Sequence, residues 1–567
     1  MKLQRLLIPT VILFFSFSPT GGRYPIYAKH GMVVSSSAIA SDIGRDILKA
    51  GGNAIDATVA TAFALAVTWP SAGNIGGGGF IVYVDKNSQS TTLDFREKAP
   101  FAASESMFLD DKGKLIKDLN RLGVLSAGTP GTVAGLFYAH KKYGKLPWKK
   151  LVEPAIQLAI KGIPFSYVLN EHSNQQKEIW KKYPSTAKVM LKNGADVYEF
   201  GETWKQPDLA NTLKQIRDNG QDGFYKGETA KKLTDFIKAQ GGLITQKDLD
   251  EYQAVERKPI TGSYRDYSIV TMGPPSSGGI ALIEMLNILE GYELNKLGYK
   301  SADYVHVLTE SMKRGFADRA EFLGDPEFNE NMPINKLTSK EYAKRLRDGI
   351  KMDIASVSDS SKFGQIYDGG QNTTHLSVTD NEGNAVSMTY TIEQSYGSQV
   401  IADGLGFFLN DEMGDFNPVP NMTNRQGQIG TKPNLISPGK RMLSSMTPTI
   451  LLKDNKPVMI IGAPGGRTII NSVLQVIINV IDQNMNIAQA IEEPRIHHQW
   501  LPDRIAFQWL SLSKDTQLKL KERGHELLEL QPSQTFGGAM GIMIDNKKGY
   551  IHGAADSRSQ DGGASGY

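Results

Sequence analysis

The period of the apolar positions changes several times along the chain. Met32 to Ser36 (MVVSS) opens with the unbroken apolar run of a buried strand, and from Ala38 to Ala50 apolar residues recur at helical spacing. A Gly51-Gly52-Asn53 turn separates this helix from an alanine-rich one over Ala54 to Val67. Four glycines, Gly76 to Gly79, lead into an apolar strand, Phe80 to Val84, and then a second strand, Thr91 to Phe95. Amphipathic helical patterns dominate residues 130 to 350, as in Leu209 to Asp218 and Tyr304 to Phe316, with strand-like Tyr267 to Thr271 among them. Asp353 to Asn372 is rich in Ser, Asp, Gly and Gln and poor in large apolar residues, the composition of an exposed connection. Strands resume at Thr373 to Thr379, Ala385 to Thr391, Thr449 to Leu452 and Val458 to Gly462, and a helix follows over Thr468 to Met485. Strand-rich and helix-rich stretches alternate without βαβ spacing, which predicts an α+β fold rather than a doubly wound parallel sheet.

The strands on either side of Asp380 to Asn384 alternate with period two. A turn centred on Glu382 pairs them antiparallel, with Thr373 opposite Thr391, His375 opposite Thr389 and Ser377 opposite Ser387. One face of this hairpin is then Leu376, Val378, Val386, Met388 and Tyr390, which is core. The other is Thr373, His375, Ser377, Ser387, Thr389 and Thr391, which packing alone does not account for. Thr373 and Thr391 meet where the polar connection enters the sheet.

Composition narrows the field. The 567 residues can bury a large core, and 63 basic against 60 acidic residues leave no field suited to nucleic acid. With no cysteine, disulfides, thiol nucleophiles and thiolate metal sites are excluded. Lys2 and Arg5 precede an apolar run from Leu6 to Phe17, and Ser18, Pro19, Gly21 and Gly22 follow. This is the layout of an export signal, expected to end at Ala28, and the run is too short for a comfortable membrane span. The remainder is expected to be exported without a membrane segment, to the periplasm or into the medium.

A threonine hydroxyl needs a base, and the α-amino group of the same residue, with a pKa near neutrality, can serve if the chain is cut just before it. A polar segment ending at Asn372 permits such a cut, and the Thr373 hydroxyl can itself make it by attacking the preceding carbonyl. Thr373-Thr374-His375 with Ser377, Ser444-Ser445 within LSSMTPT, and Pro464-Gly465-Gly466 resemble the γ-glutamyltranspeptidases, which are N-terminal-nucleophile hydrolases. The resemblance runs through GGNAIDA (51–57), GNIGGGGF (73–80), LDFREKAP (93–100), GTPGTVAG (128–135), PPSSGG (274–279), EEPRIHHQWLPD (492–503) and ADSR (555–558).

The resemblance implies a four-layer αββα sandwich built by two fragments of one precursor: 1–28 a signal peptide, 29–372 a large subunit and 373–567 a small subunit, the last two forming a heterodimer. It implies cleavage between Asn372 and Thr373, Thr373 as nucleophile, Thr391 holding its hydroxyl, and Gly465 and Gly466 as the oxyanion hole. Arg96 would grip the substrate α-carboxylate with its guanidinium fork, with Ser444 and Ser445 beside it. A purely structural reading of Arg96 pairs it with Glu97 or Asp94. Glu393, Glu412 and Asp415 match the positions holding the α-ammonium group. Some relatives have Asn and Gln at the first two, so three carboxylates would converge here on one cation. Asn417 to Lys440 matches a lid loop, with Gln426 where some relatives carry tyrosine. The substrate implied is a γ-glutamyl amide such as glutathione, its acyl group passing to water or an amino acid, with no cofactor and no metal.

Other readings remain open on the residues. Gly76 to Gly79 is not a phosphate loop, because the order is helix, glycines, strand and no lysine follows. Ser437-x-x-Lys440 and Ser511-x-x-Lys514 allow a serine acyl-enzyme, without the SDN or KTG partners. A related acylase acting on cephalosporin side chains or polyglutamate, or a non-catalytic exported amino-acid-binding protein using Arg96 and the acids, are the remaining alternatives. The nine histidines are scattered, with no HExxH, and are assigned structural roles.

Overall fold

The computed structural model describes residues 24–358, 373–423 and 429–567. Most of the expected leader, Asn372 and Gln426 lie outside them. Two seven-stranded sheets form the centre. The first runs Gly563–Gly566, Met32–Ser35, Thr373–Thr379, Ala385–Thr391, Gly78–Val84, Ser90–Phe95 and Val255–Arg257, every neighbouring pair antiparallel. The second runs Ile26–Ala28, Tyr550–Ala555, Met540–Asp545, Lys456–Gly462, Thr449–Lys453, Tyr267–Thr271 and Ile260–Tyr264, likewise antiparallel.

The outer face of the first sheet (Leu376, Val378, Val386, Met388, Tyr390) packs on helices that include Ala54–Thr68, every residue of which is buried. Its alanines allow this close approach, and an Asn53/Asp56 capping box starts the helix. Phe80, Val82, Met32 and Val34 on the inner face pack with the second sheet, and helices Gly278–Leu289, Ala302–Phe322 and Thr468–Ile481 cover that sheet. The layers are therefore helix, sheet, sheet, helix, the expected αββα sandwich.

The expected hairpin register is the observed one, Thr373 to Thr391, His375 to Thr389 and Ser377 to Ser387. Asp380 Oδ1 accepts from the Glu382 and Asn384 amides at 2.9 and 3.0 Å, an Asx turn that closes it. The hydroxyl-rich face has two separate explanations. Its inner part ties the sheets together: Ser377 Oγ donates to the Met540 carbonyl at 3.2 Å, Ser387 Oγ to the Ile461 carbonyl at 3.0 Å, and the His375 ring fills the space left by the missing side chain of Gly462. Only the terminal pair, Thr373 and Thr391, opens to a cleft.

The glycine tract serves packing. A Cβ on Gly77 would sit 1.8 Å from the Thr391 carbonyl oxygen, and Gly78 and Gly79 already belong to the strand beside Thr391. Two boundaries differ from expectation. Residues 255–271 form three strands where one was expected, and Ile26–Ala28 pairs with Tyr550–Ala555. A leader ending at Ala28 would thus include a strand of the second sheet, with Ala28 itself buried. Among the described residues no helix is long and apolar enough to cross a membrane.

Candidate active site

Thr373 opens its strand and Thr391 closes the next, so antiparallel pairing brings their side chains together at the sheet's end. Thr373 Oγ donates to Thr391 Oγ at 3.4 Å, and the Glu393 amide donates to Thr391 Oγ at 2.8 Å. Both threonines are buried yet border the cleft.

Arg96 follows directly on strand Ser90–Phe95, its amide donating to Asp94 Oδ1 at 3.0 Å and its carbonyl accepting from the Tyr252 hydroxyl at 2.8 Å. Its fully buried guanidinium is already engaged: Nη1 lies 2.6 Å from Glu412 and 3.4 Å from Glu97, Nη2 is 2.5 Å from Asp415, and Nε donates to the Met442 carbonyl at 3.4 Å. Glu412 and Asp415 are presented by a single 3-10 turn, Glu412–Asp415. Asn410 fixes that turn, donating to the Gly76 and Gly128 carbonyls at 2.8 Å each while its Oδ1 accepts from the Glu412 amide at 3.1 Å. Burial works against the Arg96 charge, but the Glu412, Glu97 and Asp415 carboxylates outweigh it and raise the pKa. Burial pushes Glu97 up to about 8 and Glu412 well above the usual carboxylate range, with Arg96 opposing both. Asp415 is the part-exposed acid of this set.

Glu393 takes a different partner. Arg121 Nη1 lies 2.5 Å from one of its carboxylate oxygens and 2.6 Å from the other. Burial raises the pKa of Glu393, with the Arg121 cation opposing it, and burial together with the neighbouring Glu393 charge lifts that of Asp411 far above its ordinary value. With Asp411 held toward its neutral form and Glu393 paired to the Arg121 charge, the group is close to neutral.

Across the cleft the Ser444-Ser445 loop is held by the 274–279 segment. The Ser444 amide donates to the Pro275 carbonyl at 2.9 Å, and the Ser277 hydroxyl donates to the Ser444 carbonyl at 2.6 Å. Gly465 and Gly466, at φ of +127° and +55°, immediately precede helix Thr468–Ile481. A Cβ on Gly465 would lie 2.5 Å from Thr468 Oγ, so glycine is required there. Their carbonyls accept from the Thr468 and Ile469 amides at 3.0 and 3.1 Å.

Thr373, Thr391, Arg96, Glu393, Glu412 and Asp415 border one cleft, together with Ser444, Ser445 and Gly466; Gly465 sits one residue behind its wall. Both partners of the structural reading of Arg96 are also found, Glu97 at the side chain and Asp94 at the amide. Arg121, Arg319 and Arg467 border the cleft too and were not anticipated. Arg121 meets Glu393 across 272 positions and Arg319 meets Ser445 across 126, and only such pairing reveals them. Asn417, Ile429 and Thr431 from the expected lid stretch also wall the cleft.

His306, Glu310 and His525 lie with ligand atoms within 4.8 Å of one another, outside the cleft. Protein groups occupy these atoms. His306 Nε2 donates to the Lys351 carbonyl at 2.8 Å, leaving Nδ1 to accept from His525 Nε2 at 2.8 Å, and Arg314 holds Glu310 at 2.6 Å.

Two face-to-face antiparallel sheets between helical layers, with a hydroxyl at the start of a central strand facing a charged cleft, define the architecture of an N-terminal-nucleophile hydrolase. The chain matches the family model described as gamma-glutamyltranspeptidase over residues 40–567. It is similar to the glutathione hydrolase proenzyme of Pseudomonas sp. (strain A14), 44% identical with 96% of this chain and 95% of the relative covered. It is also similar to that of Escherichia coli (strain K12), 43% identical with 96% and 93% covered. Among solved structures, the crystal structure of cephalosporin acylase from Bacillus halodurans superposes with a TM-score of 0.84 at 27% identity, covering 99% of each chain. This chain belongs to the γ-glutamyltranspeptidase family.

Proposed function

We propose that the chain cleaves γ-glutamyl amides, glutathione among them, through a γ-glutamyl ester on Thr373, after cutting its own Asn372–Thr373 bond. The observation that carries this reading is Thr373 Oγ, donated to Thr391 at the end of a central strand and facing a cleft whose wall alternates guanidinium and carboxylate groups. That wall suits the zwitterionic end of a glutamyl group, with ammonium toward Asp415 and Glu412 and carboxylate toward arginine. The relatives at 43–44% identity are glutathione hydrolases by name, whereas the cephalosporin acylase stands at 27%.

In the first step Thr373 Oγ bonds to the γ-carbonyl carbon while the freed α-amine of Thr373 takes its proton. The Gly465 and Gly466 amides steady the oxygen anion. The carbon–nitrogen bond then breaks, and the α-ammonium returns the proton to the leaving amine. Water or the amine of an amino acid attacks the ester in turn, and the scheme calls on no cofactor.

The two fragments are proposed to stay together as a heterodimer. In the first sheet, Met32–Ser35 of the large fragment lies between Gly563–Gly566 and Thr373–Thr379 of the small one. In the second, four small-fragment strands lie between large-fragment strands at both edges. Separation would break both sheets. Removal of the leader ahead of Ile26 would keep that edge strand, and export would place the enzyme in the periplasm or the medium.

Purified protein on a denaturing gel should give two fragments dividing at residue 373. With glutathione it should release glutamate and cysteinylglycine, and an added dipeptide should become γ-glutamylated. A single uncleaved chain that releases no glutamate overturns the reading and favours an amino-acid-binding protein.

A further inference from the structure

Arg96 and Arg121 both enter the cleft matched by carboxylates. Arg319 does not. It lies in the last turn of helix Ala302–Phe322, nine-tenths buried, and borders the cleft beside Ser445. Its guanidinium donates to two hydroxyls, Nε to Ser277 Oγ at 2.8 Å and Nη2 to Ser445 Oγ at 3.0 Å. Ser277 Oγ in turn donates to the Ser444 carbonyl at 2.6 Å, so one cation braces both serines of the pair. Among the described residues no carboxylate forms an ion pair with it, and the carbonyl end of its own helix offers only a partial charge.

A buried guanidinium without a counter-ion is costly, and a cleft that keeps one is built for an anion. Burial, and after it the neighbouring Arg467 cation, push the Arg319 pKa down to about 9, while Asp415 is the carboxylate that acts in the opposite sense. Arg319 borders the same cleft as Asp415 and Glu412, the acids expected to hold an α-ammonium.

We propose that Arg319 is a positioning residue for the donor's α-carboxylate: from the cleft wall it sets Ser445 Oγ and the Ser444 backbone, and adds a second positive charge to that of Arg96. This rests on the reading of the cleft as a γ-glutamyl site.

The test compares two anilides, γ-glutamyl-p-nitroanilide and 4-aminobutyryl-p-nitroanilide, which differ in the α-carboxylate. Arg319→Gln should raise KM for the first by roughly 10–100-fold with kcat within about threefold, and leave kcat/KM for the second unchanged. Arg319→Lys, which keeps the charge and loses the fork, should fall between. Ser277→Ala, outside the cleft wall, should raise KM for the first anilide alone by a smaller factor, and it keeps the test available if Arg319→Gln does not fold. An unchanged KM in Arg319→Gln, an equal loss on both anilides, or a rise confined to the KM of a dipeptide acceptor would overturn the proposal. Failure of the unmodified enzyme to hydrolyse γ-glutamyl-p-nitroanilide would instead overturn the γ-glutamyl reading.

Discussion

Arg121 Nη1 bridges both carboxylate oxygens of Glu393, at 2.5 and 2.6 Å, across 272 positions of sequence. The pair answers the difficulty posed by three carboxylates converging on one ammonium group. Glu393 is neutralised from behind by Arg121, and burial holds Asp411 toward its neutral form, leaving Asp415 and Glu412 with Arg96. Removing Arg121 leaves a buried carboxylate without its cation, a loss of about 3–5 kcal/mol for a pair of this kind. Arg121→Met should therefore lower the melting temperature by roughly 5 °C or more, and Arg121→Met with Glu393→Asn should recover most of it. Additive losses in the double variant would show that the two side chains are not coupled.

Much of this molecule was legible in its residues. The hairpin's register followed from period-two alternation and the Asp380 to Asn384 turn, because a slip of one position would bury the wrong face. The cleft's threonines, serines and Asp415 were reached through the γ-glutamyltranspeptidase resemblance. Arg121 and Arg319 were not, since an isolated arginine in a loop or on a helix face carries no spacing signal; its meaning comes from tertiary contact. The hydroxyl face of the hairpin misled in another way. Ser377 and Ser387 look like chemistry in one dimension and prove to be hydrogen-bonded seams between two sheets.

Thr391 offers a cleaner test of the nucleophile's surroundings than Thr373. Thr391→Val keeps shape and removes the oxygen that accepts from Thr373 Oγ and from the Glu393 amide. Slower self-cleavage and a kcat lowered by roughly 10–100-fold, with donor KM little changed, are expected from loss of a group acting on the nucleophile. A variant with normal kcat would remove Thr391 from the mechanism.

Buried histidines set the acid limit. Burial holds His375 at about 3, His497 at about 4 and His525 at about 3. An unfolded histidine binds its proton near pH 6.5, so below that pH the unfolded chain takes up protons the folded one refuses. The histidine contribution to stability is full above pH 6.5, falls as pH drops toward about 3 to 4, and levels below the folded values. Depressed carboxylates such as Asp503 and Asp556 act only below about pH 4, a separate window. The raised carboxyls Glu97, Glu412 and Asp411 act in the opposite sense over the same range, so the histidine part is read from a difference. From pH 7 to pH 4.5 the melting temperature of His497→Gln should move upward relative to that of the unmodified chain, and a difference that stays constant with pH would contradict the assignment.

Asp503 ties the end of the described large-fragment segment to the small-fragment sequence. Its carboxylate accepts from Lys313 Nζ at 2.9 Å and from the Ser358 amide at 2.7 Å, and lies 3.2 Å from His498 Nε2. Ser358 Oγ adds a bond to the Trp500 carbonyl at 2.8 Å, and Lys313 Nζ donates to the Ser356 carbonyl at 2.5 Å. Ser358 is therefore anchored fifteen positions before the nucleophile by Trp500 and Asp503 of one small-fragment loop, which Lys313 braces from the large fragment. Self-cleavage needs the Asn372 carbonyl brought to Thr373 Oγ, and a fixed start shortens the search for that arrangement. Asp503→Asn keeps the volume and can still accept one bond, but it leaves Lys313 without its closest carboxylate. The half-time of precursor cleavage should lengthen several-fold, followed on gels after refolding or synthesis, while the mature enzyme's KM for its donor stays the same because Asp503 does not border the cleft. Cleavage at the normal rate would mean that the anchor holds the fragments together without guiding the cut.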